Sequence, residues 1–544
     1  MTLDHPVPSN AGRVIARIRA DVSAKQSQVA QKAGLDQSRV SRVEKGETLN
    51  EDDITRIVDA LAELGSENAK RYKQFSGKTW YYLDPPAFWN PQAEYLEQAE
   101  ETLGQIDSFL NETDAPWPLR RQVERQKGLL ENAAGYLFNT SHQIAFVGDI
   151  GVGKSTALSF LYDLLIPEAS PRKLSDQVML EAGGGGTTIC EVHVRRGPEY
   201  GIAIQPMPES ELRQLVADMC AAKWMRSEKT NTEGEEAVGV GREIERALRN
   251  MSGLTTRRER GSDGKINRRD LLQELLQACA TEEEFRARVL DEMAIHNRTR
   301  REVWYDSGSS KSAMSWLADA FKAINNGRMK DMSLPQTIVV MVPEFAADHS
   351  DLDVSVIDTK GVDDLAVRED LDARLRDPRT AMVLCTRFNE APSTTVKMLL
   401  DHVRTTYGER VDTGKISVLA LPRAGEAMEM KDDSGEFPLD EQEGYDLKKE
   451  QIERKLAGSD EQTSSLPVYF FNVESDSPEI VRDQILHQIR TMRQTCADRV
   501  LDLCASIDDL IENHEAQAVN AAVEEVARQL RHFLESNRDL KPRE

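Results

Sequence analysis

One run of this 544-residue chain places glycines, a lysine and a serine at a spacing that suits phosphate chemistry. It reads Gly-Asp-Ile-Gly-Val-Gly-Lys-Ser and fully matches G-x-x-x-x-G-K-[ST]. Glycines let backbone N–H groups close around a phosphate chain, the lysine can reach its terminal oxygens, and the serine hydroxyl can ligate Mg²⁺. The expected nucleotide-binding residues are Gly148, Asp149, Ile150, Gly151, Val152, Gly153, Lys154, Ser155 and Thr156.

The flanks of this run support the same interpretation. Residues 144–147 are apolar and uncharged, which indicates a buried strand, and Leu158, Leu161 and Leu164 recur at helical spacing after the run. A strand, a glycine-rich loop and a helix form the context in which the motif binds phosphate, with the helix N-terminus directed at the anion. The sequence therefore predicts that residues 148–155, hereafter the P-loop, bind a nucleoside triphosphate.

Two later motifs could complete such a site. Four glycines at 183–186 precede Thr187, which we favour over Thr188 as a switch residue that ligates Mg²⁺ and senses the terminal phosphate; alternatively, these threonines only start a strand. An apolar strand at 354–357 is followed by Asp358-Thr359-Lys360-Gly361, a D-x-x-G motif. We expect Asp358 beside the metal and the Gly361 N–H at the terminal phosphate. The expected catalytic residues are Lys154, Thr187, Asp358 and Gly361, and the expected metal ligands are Ser155, Thr187 and Asp358.

Further apolar runs at 382–385, 416–421 and 468–471 alternate with helical patterns and predict an α/β fold around a mostly parallel sheet. The order of P-loop, threonine switch and D-x-x-G resembles the dynamin-like large GTPases, from about residue 119 to the C-terminus. That resemblance implies GTP hydrolysis with Mg²⁺ and flanking helical bundles. The family's guanine-reading T-K-x-D is replaced by Pro-Arg-Ala-Gly-Glu at 422–426. Arg423 could stack on the base and Glu426 is a displaced candidate for reading it, so ATP remains an alternative to GTP. Val362 stands where a glutamine would orient water, and we expect slow intrinsic turnover.

The N-terminal segment predicts a small helical unit. Residues 27–46 read SQVAQKAGLDQSRVSRVEKG, which resembles the Cro/C1-type (XRE) helix-turn-helix family. In that family the second helix of the motif enters the DNA major groove. The resemblance implies that Gln37, Ser38, Arg39 and Arg42 face base edges and that Gln28 and Lys45 lie near phosphates. A protein-binding role is the alternative, because Glu44, Glu47, Glu51, Asp52 and Asp53 surround the motif with negative charge.

Composition limits the remaining possibilities. The formal net charge is −24, so any nucleic-acid contact must be local, and six scattered cysteines without a C-x-x-C pair fit a reducing cytoplasm. No apolar stretch is long enough to insert into a membrane. An insertion at about 206–326 is expected to be helical, with basic clusters at 257–269 and 298–301; these could contact an acidic partner, a nucleic acid or a neighbouring active site, or form a salt-bridged surface.

These patterns predict four segments. They are a helix-turn-helix domain at 1–66, a linker and helical segment at 67–118, a P-loop NTPase domain at 119–476, and a C-terminal helical bundle or coiled coil at 477–544. An apolar seam in the last segment, formed by Val519, Val523, Val526, Leu530 and Phe533, could pair with the helices before the P-loop or with another subunit. We expect a homo-oligomer that forms when nucleotide is bound. The leading hypothesis is an NTP-hydrolysing switch or assembly protein that binds double-stranded DNA. The alternatives are an NTP-sensing transcriptional regulator and a structural NTPase scaffold whose helix-turn-helix binds protein.

Overall fold

The computed structural model of the chain divides into two compact units. It describes residues 10–46, 50–76, 78–87, 90–112, 117–167, 174–180, 189–228, 240–260, 266–347, 352–361, 369–407, 413–456, 466–513, 523 and 525–534. The main body of one unit, the sheet unit, is Ser141–His349 with Asp353–Ile489. The other, the helical unit, consists mainly of Pro8–Thr140 and Arg490–Glu544.

The helical unit begins with five short helices: α1 (Asn10–Asp21), α2 (Gln26–Ala33), α3 (Gln37–Glu44), α4 (Glu51–Glu63) and α5 (Glu67–Ser76). Gly34 ends α2 in the left-handed conformation, and the Asp36 side chain caps α3 by accepting the Arg39 N–H at 2.8 Å. Apolar side chains from α1 to α4 form one core that includes Ile15, Val29, Val40 and Leu61. The helices α2 and α3 are therefore held as a rigid pair joined by a short turn.

Two longer helices follow, α6 (Ala93–Glu112) and α7 (Trp117–Phe138). Their apolar faces pack against each other and against residues 497–507 of the C-terminal segment. The predicted boundary at residue 119 assigned α7 to the nucleotide-binding domain. The chain instead groups α7 with the helical unit, because Leu130 and Leu137 are buried in that helical core.

The sheet unit is built on a nine-stranded mixed sheet with strand order β11-β10-β9-β1-β8-β2-β7-β3-β6. The strands are β1 (Ser141–Gly148), β2 (Glu191–Arg196), β3 (Gly201–Pro206), β6 (Glu302–Trp304), β7 (Pro335–Val342), β8 (Asp353–Asp358), β9 (Thr380–Arg387), β10 (Ile416–Leu421) and β11 (Val468–Phe470), with a separate hairpin of β4 (Thr256–Arg260) and β5 (Ile266–Asp270). Five of the pairings are parallel, including β1 with β8 and with β9, and three are antiparallel. This mostly parallel sheet agrees with the predicted α/β class.

Ten helices of the described residues lie between strands of this unit. They are α8 (Lys154–Leu161), α9 (Leu174–Gln177), α10 (Glu209–Glu228), α11 (Arg242–Ser252), α12 (Leu271–Gln277), α13 (Glu282–Met293), α14 (Ala313–Asn325), α15 (Glu369–Arg376), α16 (Thr394–Tyr407) and α17 (Glu441–Leu456). The last long helix, α18 (Pro478–Glu512), begins in the sheet unit and continues into the helical unit. The prediction that the 206–326 insertion is helical was wrong in part. Its basic stretch forms the β4–β5 hairpin, and β6 joins the main sheet beside β3.

The C-terminal segment begins with α18 at Pro478, as its Ser-Pro start predicts. Residues 525–534 are also helical, and the side chains of Val523, Val526, Leu530 and Phe533 are each more than half exposed. Val519, the first residue of the predicted seam, lies outside the described residues. Among the residues that are described, no helix combines the length and apolar character needed to cross a bilayer.

Candidate functional site

The P-loop joins the end of β1 to the start of α8. Gly153 occupies the N-cap of α8 with a φ of 104°, and α8 begins at Lys154. The Lys154 side chain is buried, and its ammonium donates to the Gly148 carbonyl oxygen at 3.0 Å. The ammonium is therefore held inside the loop, within reach of an anion bound by the loop amides.

Ser155 and Asp358 meet beside the P-loop, although 203 positions separate them in the sequence. The Ser155 hydroxyl donates to Asp358 Oδ2 at 2.5 Å. Parallel pairing of β1 with β8, which sets Phe146 opposite Asp358, brings both residues to the same edge of the sheet. Burial raises the pKa of Asp358, although the nearby Lys154 charge and the Ser155 hydrogen bond oppose that rise.

The chemistry of this pair fits Mg²⁺. The second carboxylate oxygen of Asp358, Oδ1, is buried and has no hydrogen-bond partner within the described part of the chain. Such an oxygen is costly to bury unless it gains a proton or a cation. Across the described ranges no group of three or more His, Cys, Asp or Glu side chains is arranged to hold a metal ion. One carboxylate and one hydroxyl are what Mg²⁺ uses when substrate phosphates and water supply its other ligands.

The D-x-x-G segment, residues 358–361, lies directly on the P-loop. The Thr359 hydroxyl and N–H both donate to the Phe146 carbonyl oxygen, at 2.8 Å and 3.3 Å, and fix the segment to β1. A Cβ atom on Gly361 would lie 2.4 Å from Ile150 Cγ1 and 3.0 Å from Ile150 Cα. Only glycine fits this approach, so the Gly361 backbone sits beside the loop that would hold the phosphates.

Two further contacts to the P-loop come from the end of β9 and the start of α16, and the sequence motifs did not indicate them. The Thr395 hydroxyl hydrogen-bonds to the Asp149 carboxylate, and the Arg387 guanidinium lies 3.5 Å from the Gly151 carbonyl oxygen. Both contacts cross more than 230 positions of sequence. No local pattern announces them, because they depend on β9 lying next to β1.

Polar groups after the ends of β9 and β10 form a hydrogen-bonded cluster that contains Arg423 and Glu426, the two residues expected to contact a base. Glu426 accepts the Arg423 N–H at 2.9 Å and the Asn389 side-chain amide at 3.0 Å. The Arg423 side chain is exposed. Lys448 donates to the Asn389 carbonyl oxygen at 3.3 Å, and burial lowers the pKa of this lysine. The structure thus fixes the Glu426 carboxylate at this end of the sheet.

Several predicted residues have less defined surroundings. Val152 is buried, Thr156 is half-buried and Ile150 is exposed. Thr187, with Thr188 and the glycines at 183–186, lies outside the described residues, as does Val362. The predicted threonine switch therefore stays a prediction.

Arg374 links the helix after the D-x-x-G segment to two strands. Its guanidinium donates to the Gln143 side chain of β1 at 2.8 Å and pairs with Glu191 of β2. Glu191 also contacts His193. Burial tends to raise the pKa of Glu191, but the His193 hydrogen bond and the Arg374 charge outweigh it and lower that pKa. Sequence reasoning missed this cluster, whose members are ordinary surface residue types.

The predicted DNA-contacting residues lie on α2 and α3 or at their ends. Gln28, Gln37, Ser38, Arg42 and Lys45 are exposed. Arg39 differs, because its guanidinium pairs with the buried Asp53 carboxylate of α4 through two bonds of 2.7 Å and 3.0 Å. Ser38 is also engaged, since its hydroxyl donates to Asp36 at 2.5 Å.

Comparisons with known proteins give little further information. No family model and no curated protein matches the chain. Among solved structures, one match is 12% identical, covers 98% of this chain and 75% of that chain, and has a TM-score of 0.33; a second is 11% identical over 97% and 75%, with a TM-score of 0.33. Both are described as an oligomerised bacterial dynamin pair that senses and tethers membranes at long range. Similarity at this level does not assign the chain to a family.

Proposed function

We propose that the sheet unit is a Mg²⁺-dependent nucleoside triphosphatase that acts as a molecular switch. The observation that supports this most directly is the Ser155–Asp358 hydrogen bond at the mouth of the P-loop. It joins a hydroxyl and a carboxylate from distant parts of the chain beside a buried ammonium. A glycine-rich turn without a ligand would not need a buried, half-satisfied carboxylate at that place.

In this proposal each group has a defined task. Lys154 neutralises the terminal phosphate oxygens, and the Gly361 N–H donates to the last phosphate. Ser155 and Asp358, together with Thr187, would hold Mg²⁺, and the bound ion would supply positive charge for the phosphate oxygens. Val362 follows Gly361 and cannot donate a hydrogen bond from its side chain, so the chain orients water poorly and we expect slow intrinsic turnover.

We favour GTP over ATP as the nucleotide. Guanine presents two adjacent N–H donors, at N1 and N2, and a carboxylate can accept both. Glu426 is a carboxylate fixed by Arg423 and Asn389 near the base region, and the exposed Arg423 side chain is free to cover a base. Adenine offers an acceptor at N1 and would meet the carboxylate less favourably.

The N-terminal helices supply a candidate DNA-binding surface, and we propose that they act as a helix-turn-helix on double-stranded DNA. Gln37 and Arg42 on α3 would face base edges, and Gln28 and Lys45 would lie near phosphates. Arg39 would serve mainly to fix α3 to α4 through Asp53. We further propose that the exposed apolar seam at 523–533 pairs with another copy of the chain when nucleotide is bound, and that the protein acts in the cytoplasm.

Calorimetry with GTP and ATP in competition, in the presence of Mg²⁺, tests the nucleotide proposal. We expect Lys154→Ala to abolish binding, because the buried ammonium is the main positive charge in the loop. Lys397→Ala is the matched control, since Lys397 is exposed on α16. Arg423→Ala should weaken both nucleotides, whereas Glu426→Gln should weaken GTP selectively. Wild-type protein that binds neither nucleotide at millimolar concentration would exclude this function.

A sensing regulator is the second candidate, because the same chain carries both a candidate DNA surface and a nucleotide site. Turnover and oligomer size measured against protein concentration separate the two candidates. A switch that assembles should hydrolyse faster at higher concentration, and a sensor should not. Duplex binding that changes with nucleotide but without oligomerisation would favour the sensor.

A further inference from the structure

The insertion contains a basic cavity that the proposed nucleotide chemistry does not use. It has a volume of about 370 Å³ and is lined by Arg242, Arg246, Arg249 and Arg328, together with Glu245, Asn250, Thr255 and Thr256. Four arginines line it in a chain whose formal net charge is −24. Arg249 is paired with the Asp270 carboxylate, whereas Arg242 and Arg328 have no carboxylate partner within the described ranges, so the cavity keeps a positive charge that would attract an anion.

The arginines of α11 share one face of the helix. Arg242, Arg246 and Arg249 are spaced by four and three residues, whereas Ala247, Leu248 and Met251 are buried on another face. Gly327 brings the fourth arginine to the cavity. A Cβ atom at Gly327, whose φ is +66°, would lie 2.6 Å from the Ala247 carbonyl oxygen, so the chain passes directly against the α11 backbone. The position of Arg328 is therefore fixed by packing.

The carboxylates at the cavity are already engaged. Arg249 pairs with Asp270 at 2.5 Å and also donates to the Leu254 carbonyl oxygen, which ties α11 to the base of the hairpin. Glu245 pairs with Lys223 at 2.6 Å. Arg242 and Arg328 are exposed, and neither has a carboxylate partner among residues that the structure describes. These two side chains are available to an anion from solution.

The β4–β5 hairpin adds charge next to the cavity. In the strand register Arg258 lies directly opposite Arg268, and Arg257 lies directly opposite Arg269. Like charges opposite each other destabilise a hairpin, and a two-stranded ribbon has little stability of its own. Side chains alternate along a strand, so Arg258 shares the face of Thr256, which lines the cavity, and Arg257 points to the other face.

We propose that this cavity binds a small ligand carrying at least two phosphate groups, with Arg242 and Arg328 on one phosphate and Arg258 and Arg268 on another. The planar guanidinium fork matches phosphate oxygens, and the cavity has the size of a small-molecule site. A long polyanion would also be repelled by the acidic residues elsewhere in the chain. A small ligand meets only charges within roughly 8–10 Å, the screening length near physiological salt.

Inorganic triphosphate is the probe, and the full-length Lys154→Ala variant is the background, so that the P-loop does not contribute. Calorimetry without Mg²⁺ should detect one site. Adding Arg242→Ala with Arg328→Ala should weaken binding by roughly tenfold per guanidinium removed, the change that corresponds to one charged hydrogen bond. Arg258→Ala with Arg268→Ala should weaken binding similarly, and Arg257→Ala, on the other face, should leave it unchanged.

Two further measurements distinguish recognition by the guanidinium fork from simple charge attraction and from loss of folding. Replacing Arg242 and Arg328 by lysine keeps the charge but removes the fork. The affinity should therefore lie between that of the parent protein and that of the alanine variant. Circular dichroism should show unchanged helix content in every variant, because both side chains are exposed. The proposal is overturned if triphosphate binding disappears in the Lys154→Ala background, if the alanine variants bind as well as their parent, or if only duplex DNA or anionic vesicles bind.

Discussion

Substitution of Gly361 by alanine is the sharpest test of how the D-x-x-G segment and the P-loop work together. The added Cβ would lie 2.4 Å from Ile150 Cγ1, which a rotamer change could relieve, but also 3.0 Å from Ile150 Cα and 3.1 Å from Ile150 N, which are backbone atoms. The segment therefore has to move away from the loop by several tenths of an ångström. Thr359 resists this movement, since two hydrogen bonds hold it to Phe146.

The expected consequence is a selective loss of triphosphate affinity. A backbone N–H that donates to a charged phosphate contributes about 1.5–3 kcal/mol. Its displacement should weaken GTP binding by roughly tenfold to a hundredfold. In the proposed site a diphosphate would not reach Gly361, so its affinity should change by less than about threefold. The ratio of GTP to GDP affinity, measured by fluorescence titration with Mg²⁺, is therefore the informative quantity.

Gly128→Ala is the matched control, because Gly128 lies inside α7 and a Cβ there meets nothing within 4 Å. That variant should bind both nucleotides normally and be slightly more stable, by about 0.5–1 kcal/mol, because alanine favours helix. An unchanged GTP-to-GDP ratio in Gly361→Ala would refute the assignment of this segment to the terminal phosphate. Equal weakening of both nucleotides would refute it as well, since it would show a general distortion of the P-loop.

Three other outcomes follow from the structure. Asp358→Asn should abolish the Mg²⁺ dependence of nucleotide binding. The protein without ligand should unfold at the same or a higher temperature, because the substitution removes a buried carboxylate with one unpaired oxygen. A lower unfolding temperature would contradict this prediction. Burial raises the pKa of Asp358, so the stability this group contributes is present at low pH and is lost as pH rises through the raised value, whereas Mg²⁺ needs the ionised form. The Mg²⁺ affinity measured by calorimetry should therefore fall as the pH is lowered, approaching roughly tenfold per pH unit below that pKa. A Mg²⁺ affinity that does not change with pH would argue against Asp358 as a ligand. Glu44→Gln should destabilise the helical unit by about 2–3 kcal/mol in hydrogen exchange, because Glu44 accepts three hydrogen bonds from Arg19 and Gln26. The control Glu63→Gln removes one partner of an exposed ion pair and should cost less than about 1 kcal/mol. Equal effects of the two substitutions would refute the importance of the buried pair.

The sequence indicated the central strands well, because each is a short apolar run next to a motif or a helix. The run at 416–421 matches β10 residue for residue, and the runs at 144–147 and 354–357 lie within β1 and β8. The outer half of the sheet was not predicted. β3 and β7 lie beside a long insertion, and the residues that pair between them are 129–140 positions apart in the sequence. At the β4–β5 hairpin the sequence predicts a helical region instead, because the arginines hide the alternation that marks a strand.

The candidate site likewise contains contacts that the sequence indicated and contacts that it did not. Motif spacing was enough to anticipate that Lys154, Ser155, Asp358 and Gly361 would meet, because a P-loop and a D-x-x-G follow neighbouring parallel strands. Contacts that orient those groups left no local signal. The hydrogen bond of Thr395 to Asp149 is an example, since a threonine at the start of a helix is ordinarily explained as a cap.

Net charge is a poor guide to the surfaces of this protein, and the helical unit shows why. Glu44 and Asp53 suggest from the sequence that α3 would repel DNA phosphates. In the structure Glu44 is neutralised by Arg19 and Asp53 by Arg39, so neither presents free negative charge to a ligand. The same reasoning applies in reverse to the insertion, where α11 and the hairpin concentrate arginines within a strongly acidic chain. Because charges separated by more than a screening length of roughly 8–10 Å act almost independently, each surface has to be judged by its own ion pairs, and two anion-binding surfaces are compatible with a formal charge of −24.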